Sequence, residues 1–488
     1  MMLKINRDSK LKTGIHLTII QIGLLVIPII TIPYVVDKVG LEKFGVFVFI
    51  QSIMGLLAIV INYGFVQTGV VDIANSKSLR KLNFEYSNIF YSKVILFFLC
   101  LFFAVVLFFI VPKFNNEKNL YFASLIILVF NCIDSSFLFQ GIERMKDYMF
   151  FNFAGNFVVI ILLLLFVNTV EDYIYLPLIF FGPRAAFSFA AMIFAALVFH
   201  VKPNIFFLAA VLRKLRTGFN FFGTNIFSAL YTQTTSVILG FLGGDISVGI
   251  YSLADKLCFA YTVIQGKIGV VYQPQIARDF KAGLAEGTAR AKENIFIMLL
   301  AAIPAFLFCQ FFSENILYLF FKDKGIASAG ILRLLSFNFI TIGISGILSV
   351  HILVAIGKAN EMLKPSIWTA LMNLTVGSFL IFYFHHTGAA ISLSLIEFGI
   401  MCYYYFRIKK FKIFVFSKVM INTLALYSAF ILIFLILLKH IDSIILFNAM
   451  FKTPVIIIIY CFGAALLLQI LKIVDFKRKK INKNFILQ

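Results

Sequence analysis

Seven side chains carry charge within stretches that are otherwise almost wholly apolar: Asp134, Arg184, Asp255, Lys256, Lys267, Arg333 and Glu397. Their types offer two kinds of chemistry. A guanidinium or ammonium group held away from water binds a multiply charged anion strongly, through charge-assisted hydrogen bonds. A carboxyl group in the same surroundings can exchange a proton near neutral pH. Arg184, Lys256, Lys267 and Arg333 are therefore the candidate cations for an anionic ligand. Asp134, Asp255 and Glu397 are the candidates for ion coupling.

Keeping charge in such places is costly. At the centre of a membrane helix it costs about 2.5–3.5 kcal/mol on insertion scales. Arg184 follows Gly182–Pro183, a pair expected to kink its helix. It lies roughly 13 Å deep at the helical rise, too deep for easy snorkelling, and arginine keeps its proton. Lys256 is as deep. Lys267 is eleven residues further on, which returns to the same helix face after three turns. Asp255 points about 100° away from Lys256 and is a poor partner for it. Lys267 and Arg333 lie nearer span ends and can snorkel towards headgroups. Asp134 is close to the turn "FQGIERM", and Glu397 is mid-span.

The elements that must position these residues follow from composition. Of 488 residues 61% are hydrophobic, with 43 Lys and Arg against 22 Asp and Glu. That much apolar surface needs lipid as its solvent, so the fold class expected is an all-α polytopic membrane protein. The spans read as 14–36, 45–69, 89–111, 120–140, 149–168, 175–200, 217–241, 247–271, 295–312, 329–356, 365–385, 387–407, 416–438 and 452–473. The first is read as a span and not a cleaved leader, because its apolar run is too long and no small-residue site follows it. Counting residues near a span end with the adjoining loop, the tails and even-numbered loops carry 31 of the 43 cations. This asymmetry predicts both termini in the cytoplasm and accounts for the +21 charge without a nucleic-acid partner. Residues 202–216 read as an amphipathic helix on the inner surface, with Arg213, Lys214 and Arg216 at the headgroups. Tyr34, Tyr63, Tyr91, Tyr121, Tyr148 and Tyr175 fall near span ends, where tyrosines anchor at the interface.

An internal echo organises the spans. "GLEKFGVF" (40–47) and "GDISVGIY" (244–251) share two glycines at the same spacing, an aliphatic residue and an aromatic one, 204 residues apart. "FQGIERM" and "AIGKANEM" follow the fourth and tenth spans. The expectation is two pseudo-symmetric six-helix lobes around a central cavity, plus two C-terminal helices. The N-terminal lobe takes 1–201, the linker helix 202–216, the C-terminal lobe 217–410, and the last two spans with a basic tail 411–488.

Four blocks, "VGLEKFGVFVF", "FQGIERMKDY", "GGDISVGIYSLADKL" and "VYQPQIARDF", resemble those of bacterial polysaccharide exporters, the Wzx-type O-antigen flippases. That family shares a superfamily with MATE drug exporters and lipid II flippases. The resemblance covers most of the chain and is best between residues 37 and 280. It implies a two-lobed bundle in the bacterial inner membrane. Its substrate would be an undecaprenyl-pyrophosphate-linked oligosaccharide, turned from inner to outer leaflet by alternating access. It implies coupling to an H+ or Na+ gradient, contact with membrane lipids, and the polysaccharide polymerase machinery as a further partner. No organic cofactor is expected.

The rival readings are a lipid II or drug exporter of the same superfamily and, in another class, a membrane-embedded glycan polymerase or ligase. A drug exporter for cations wants an acidic cavity, and a polymerase wants a large outer loop. Neither shows in the sequence, nor does a Walker motif, an HExxH or a CxxC pair.

Overall fold

A computed structural model describes residues 7–204 and 207–444, Tyr460, and the pairs 474–475 and 480–481, with side chains described at most positions from Ile27 to His440 and at Tyr460. The span expected at 452–473 lies almost wholly outside these residues. The described chain is helical. Its strands, among the described residues, are one two-residue ladder of Val474–Asp475 with Lys480–Ile481. Nine described segments are long and apolar enough to cross a membrane. Two of them, Ile27–Ala74 and Ala359–Lys410, run to 48 and 52 residues and so have the length for two passes each. Helices satisfy their own backbone groups, which is why lipid tolerates them.

Contacts divide the chain into two units, 1–249 and 250–488. The first holds α1 (Arg7–Asn62), α2 (Phe65–Ala74), α3 (Leu79–Ile110), α4 (Pro112–Asn116), α5 (Lys118–Ser124), α6 (Ile126–Ile133), α7 (Ser136–Gly141), α8 (Met145–Phe166), α9 (Leu176–Val198), α10 (Leu208–Thr232) and α11 (Thr234–Leu242), and the start of α12 (Asp245–Ala282). Its core gathers Phe65, Tyr86, Phe137, Phe139, Ala191 and Ala195. Many phenylalanines instead stay exposed, such as Phe102, Phe109 and Phe150, as a lipid-facing surface requires. Two expected anchors are core residues: Tyr121 is buried with its hydroxyl on the Ala104 carbonyl, and buried Tyr148 donates to Asp134.

Helix α1 changes direction at Gly40, whose φ of 82° suits glycine, and Gly244 has φ 79°. These are the first glycines of the two echoed blocks. The second glycines allow the closest approach. A Cβ on Gly45 would overlap the Asp245 carbonyl oxygen, and one on Gly249 would overlap that of Leu41. Gly249 lies 204 residues after Gly45, and Asp245 lies 204 after Leu41, so each contact is the other with the blocks exchanged. Lys113 fastens the same end, pairing with Asp245 at 2.7 Å, donating to the Gly240 carbonyl at 2.6 Å and lying over the Phe49 ring. Nearby Lys43 pairs with Glu117 at 3.1 Å, and Tyr173 donates to Glu117.

The helix expected at 202–216 runs on beyond that range. α10 starts inside 202–216 and continues through residue 232, so the charge run does not end a helix. Lys214 is not at a headgroup position. It shares the inward stripe with Val211 and Gly218, is buried, and pairs with Asp72 of α2 and with Glu85 of α3. Arg213 and Arg216 stay exposed. Because α10 and α11 pack on α1 and α3, contacts group residues 217–249 with the first unit.

The second unit runs on through α12 to α13 (Leu284–Phe321), α14 (Asp323–Ile326), α15 (Ala329–Ser336) and α16 (Asn338–Gly346). A π-helical stretch, Ile347–Leu353, follows, then α17 (Leu363–Met372), a second π stretch at Asn373–Gly377, α18 (Ser378–Lys410) and α19 (Lys418–Ile444). α13 packs against α15, α16 and α19. The turn expected at His385–His386 appears as a break inside α18, with His385 at φ 48°.

Gly45→Val and Gly249→Val should each lower the melting temperature of the detergent-purified protein, by an overpacking cost of about 1–3 kcal/mol. Gly182→Ala, with nothing within 4 Å of its added Cβ, should not. Equal melting of all three would refute the close packing of the two blocks.

Candidate functional site

Arg184 sits on α9 against α8, the most extensively packed helix pair in the first unit. Gly155 makes that approach possible, since an added Cβ would meet the Arg184 Cα at 3.4 Å and the Phe187 Cβ at 3.3 Å. α9 runs through Pro183 with no residue leaving helical dihedrals, so the expected kink is not a break. The guanidinium is part-buried. Its Nε and Nη2 both donate to Asn156 Oδ1, at 3.1 and 2.7 Å, and it lies 5.5 Å from the centre of the Phe181 ring. Asn156 in turn donates to the Asn152 carbonyl and side-chain oxygens, each at 2.8 Å. Among the described residues no carboxylate pairs with Arg184. An amide oxygen satisfies two of five donors and leaves the full positive charge in place.

In the second unit α12 is one helix through residues 255–267, so Lys256 and Lys267 do share a face. Lys256 is exposed and, among the described residues, has no ion pair. Asp255 beside it is part-buried and likewise without a described ion pair. Lys267 is part-buried and engaged. Glu397 is buried in α18 and also engaged. Arg333 is not an uncompensated cation: its Nη2 donates to Glu314 Oε1 at 2.7 Å, and both side chains are exposed. Its charge is met from α13, nineteen residues earlier, a pairing no span count could reveal.

Asp134 closes α6 where the chain breaks before α7. It accepts from the Ser136 hydroxyl at 2.8 Å and from the Tyr148 hydroxyl. Its main-chain carbonyl accepts from Lys93 at 2.7 Å, and this ammonium is buried and faces the Phe137 ring. Sequence reading missed Lys93 because a cation four residues inside a span counts with the neighbouring loop. It missed Asn152 and Asn156 because neutral amides do not register in a census of charge. Their four-residue spacing on one helix face was the available signal.

The structure thus places Arg184 and Asp134 in the first unit and the other five predicted residues in the second. Among the described residues no group of His, Cys, Asp or Glu could hold a metal ion, and Cys100, Cys132, Cys258, Cys309 and Cys402 are free thiols.

The profile of a family described as "Polysaccharide biosynthesis protein" matches residues 11–279, more than half of the chain. The chain belongs to that family. A protein of Escherichia coli (strain K12), named "Putative O-antigen transporter", is 26% identical over 397 residues, 80% of this chain and 95% of its own. A protein of the same name from Shigella dysenteriae is 24% identical and covers 76% and 92%. Solved structures share the fold at 16% identity. One is lipid II flippase MurJ in an inward closed conformation, with a TM-score of 0.74 over 93% of this chain and 98% of that one. Another is an inward-facing multidrug resistance MATE family transporter, at 0.59 over 80% and 95%. Its long apolar helices suit a multi-pass membrane protein, and its likeness to proteins named as transporters supports a transport role rather than an enzymatic one.

Asn156→Leu should destabilise the purified transporter by about 1–3 kcal/mol, because the guanidinium loses its acceptor. Asn156→Leu with Arg184→Met should recover most of that loss. Additive losses in thermal melts of the single and double variants would show that the two side chains do not act as a pair.

Proposed function

We propose that this transporter is a flippase for an undecaprenyl-pyrophosphate-linked oligosaccharide, an O-antigen or related repeat unit. It moves that lipid from the cytoplasmic to the outer leaflet by alternating access, coupled to an H+ or Na+ gradient. The observation that carries the reading is Arg184: a part-buried guanidinium inside a span, held by an amide and by no described carboxylate. A charge kept at such cost and left uncancelled suits an anion that arrives from outside. A pyrophosphate is that anion.

In this reading Arg184 supplies the first lobe's cation and Lys256 the second's, with Lys267 behind it on the same face. Arg333 has no part in the site, because Glu314 already meets its charge. Asp134, Asp255 and Glu397 remain the carboxylates for ion coupling. The architecture proposed has fourteen spans, with lobes 1–201 and 217–410, a linker at 202–216, two added spans in 411–488 and both termini in the cytoplasm. Support for the repeat comes from the matching glycine conformations at 40 and 244 and the exchanged contacts at Gly45 and Gly249. The family likeness supports the glycan substrate class, and the polymerase that consumes the repeat unit is the natural downstream partner.

In cells lacking the gene, plasmid copies carrying Arg184→Gln or Lys256→Ala should restore less than a tenth of wild-type surface polysaccharide while inserting at normal levels. Arg333→Gln should restore more than half. Wild-type polysaccharide from both of the first two variants would eliminate the proposed anion site.

A further inference from the structure

His351 lies in the π-helical stretch Ile347–Leu353 that continues α16. It is buried, and its Nδ1 is 2.9 Å from Asn294 Nδ2 on α13. Asn294 is fully buried, and its Oδ1 has no hydrogen-bond partner among the described residues. The imidazole also fixes the approach of α12, because a Cβ on Gly269 would stand 2.7 Å from His351 Cε1 and 3.1 Å from Nε2. A buried imidazole, an amide with one orphaned atom and a helix wound to admit them converge at one place. π-helical turns mark functional sites more often than ordinary packing.

We propose that His351 and Asn294 form a proton-binding site of the second unit, additional to the carboxylates, and that its proton is the coupling ion of the transport cycle. The proposal rests on the flippase reading for its role, but not for its chemistry. With neutral imidazole, Nδ1 accepts from the Asn294 amide and Nε2 keeps the hydrogen. When a proton arrives it binds Nδ1, the amide turns over, and Oδ1 accepts from the new N–H. The weak neutral bond becomes a charge-assisted one at the same heavy-atom separation. The orphaned oxygen is the acceptor that the charged form needs. On release the proton leaves and the amide turns back, so the cycle balances with no other reactant.

Several charges on the neighbouring elements are already paired, and Asp255 and Lys256 of α12 stand more than ten residues from Gly269 along that helix. Glu361, from the segment after the π stretch, pairs with Arg407 of α18. Glu293 beside Asn294 on α13 pairs with Arg290. Glu397 of α18 and Lys267 of α12 are each engaged as well. Lys267 is two residues from Gly269 and so points about 200° round the helix from it. Asn294 is the hydrogen-bond partner of His351 among the described residues.

The chain has six histidines, which makes nitrogen NMR of the full-length protein, labelled on histidine and reconstituted in lipid, a direct test. One imidazole should take up a proton between pH 4.5 and 8, with its neutral form carrying hydrogen on Nε2. His351→Gln should delete that signal, and Asn294→Leu should move its midpoint. In vesicles loaded with a pH dye, undecaprenyl pyrophosphate should drive proton movement that His351→Gln lowers at least tenfold while binding of that lipid stays within twofold. A signal that stays neutral throughout, or unchanged proton movement by His351→Gln, would overturn the site. Failure of the wild type to bind undecaprenyl pyrophosphate would instead count against the flippase reading and leave the NMR result to decide the proton site.

Discussion

A positive charge inside a membrane must be met by something, and what meets Arg184 is an amide oxygen. That choice governs the rest of the account. A carboxylate would satisfy the hydrogen bonds and cancel the charge together. Asn156, oriented by Asn152, satisfies part of the hydrogen bonding and cancels nothing. Other cations of the chain show the contrast. Lys43, Lys113, Lys214, Arg290, Arg333 and Arg407 all face carboxylates. Their pairings tie helices and loops together and leave little field behind. Among the described residues, Arg184 and Lys256 have no such carboxylate.

Irregular backbone follows the polar groups. Between α6 and α7 the chain breaks where Asp134, Ser136 and Lys93 meet. The π stretches fall at His351 and at Asn373, and α18 breaks at His385. Each departure from a plain α-helix frees or crowds backbone groups that apolar surroundings would penalise, so each needs polar side chains close by. The glycine blocks are irregular for a different reason. Gly40 and Gly244 turn the chain, and Gly45 and Gly249 let backbone touch backbone. Side chains are missing there because there is no room for them.

The membrane class and many of the helices could be read from the sequence, since twenty apolar residues in a row have few other uses. The glycine spacing likewise pointed to a real local arrangement, because a glycine requirement is written at one position. Pairing was not legible in the same way. Glu314 meets Arg333, and Glu85 with Asp72 meets Lys214, across distances that the folded backbone closes and no periodicity encodes. Lys214 looked like a headgroup residue because a run of cations resembles a surface, whereas helix phase puts it on the inward stripe beside Val211. His351 escaped notice because one histidine near the end of an apolar span carries no pattern until Asn294 and Gly269 close on it.

The central claim is that the bound group is recognised by its charge through Arg184. Titration of the purified transporter with undecaprenyl pyrophosphate and, separately, with undecaprenol tests this most directly. The account predicts that the pyrophosphate binds at least a hundredfold more tightly, an advantage that weakens as salt is raised and disappears in Arg184→Gln. Equal binding of the two lipids, or an undiminished preference in Arg184→Gln, would contradict it.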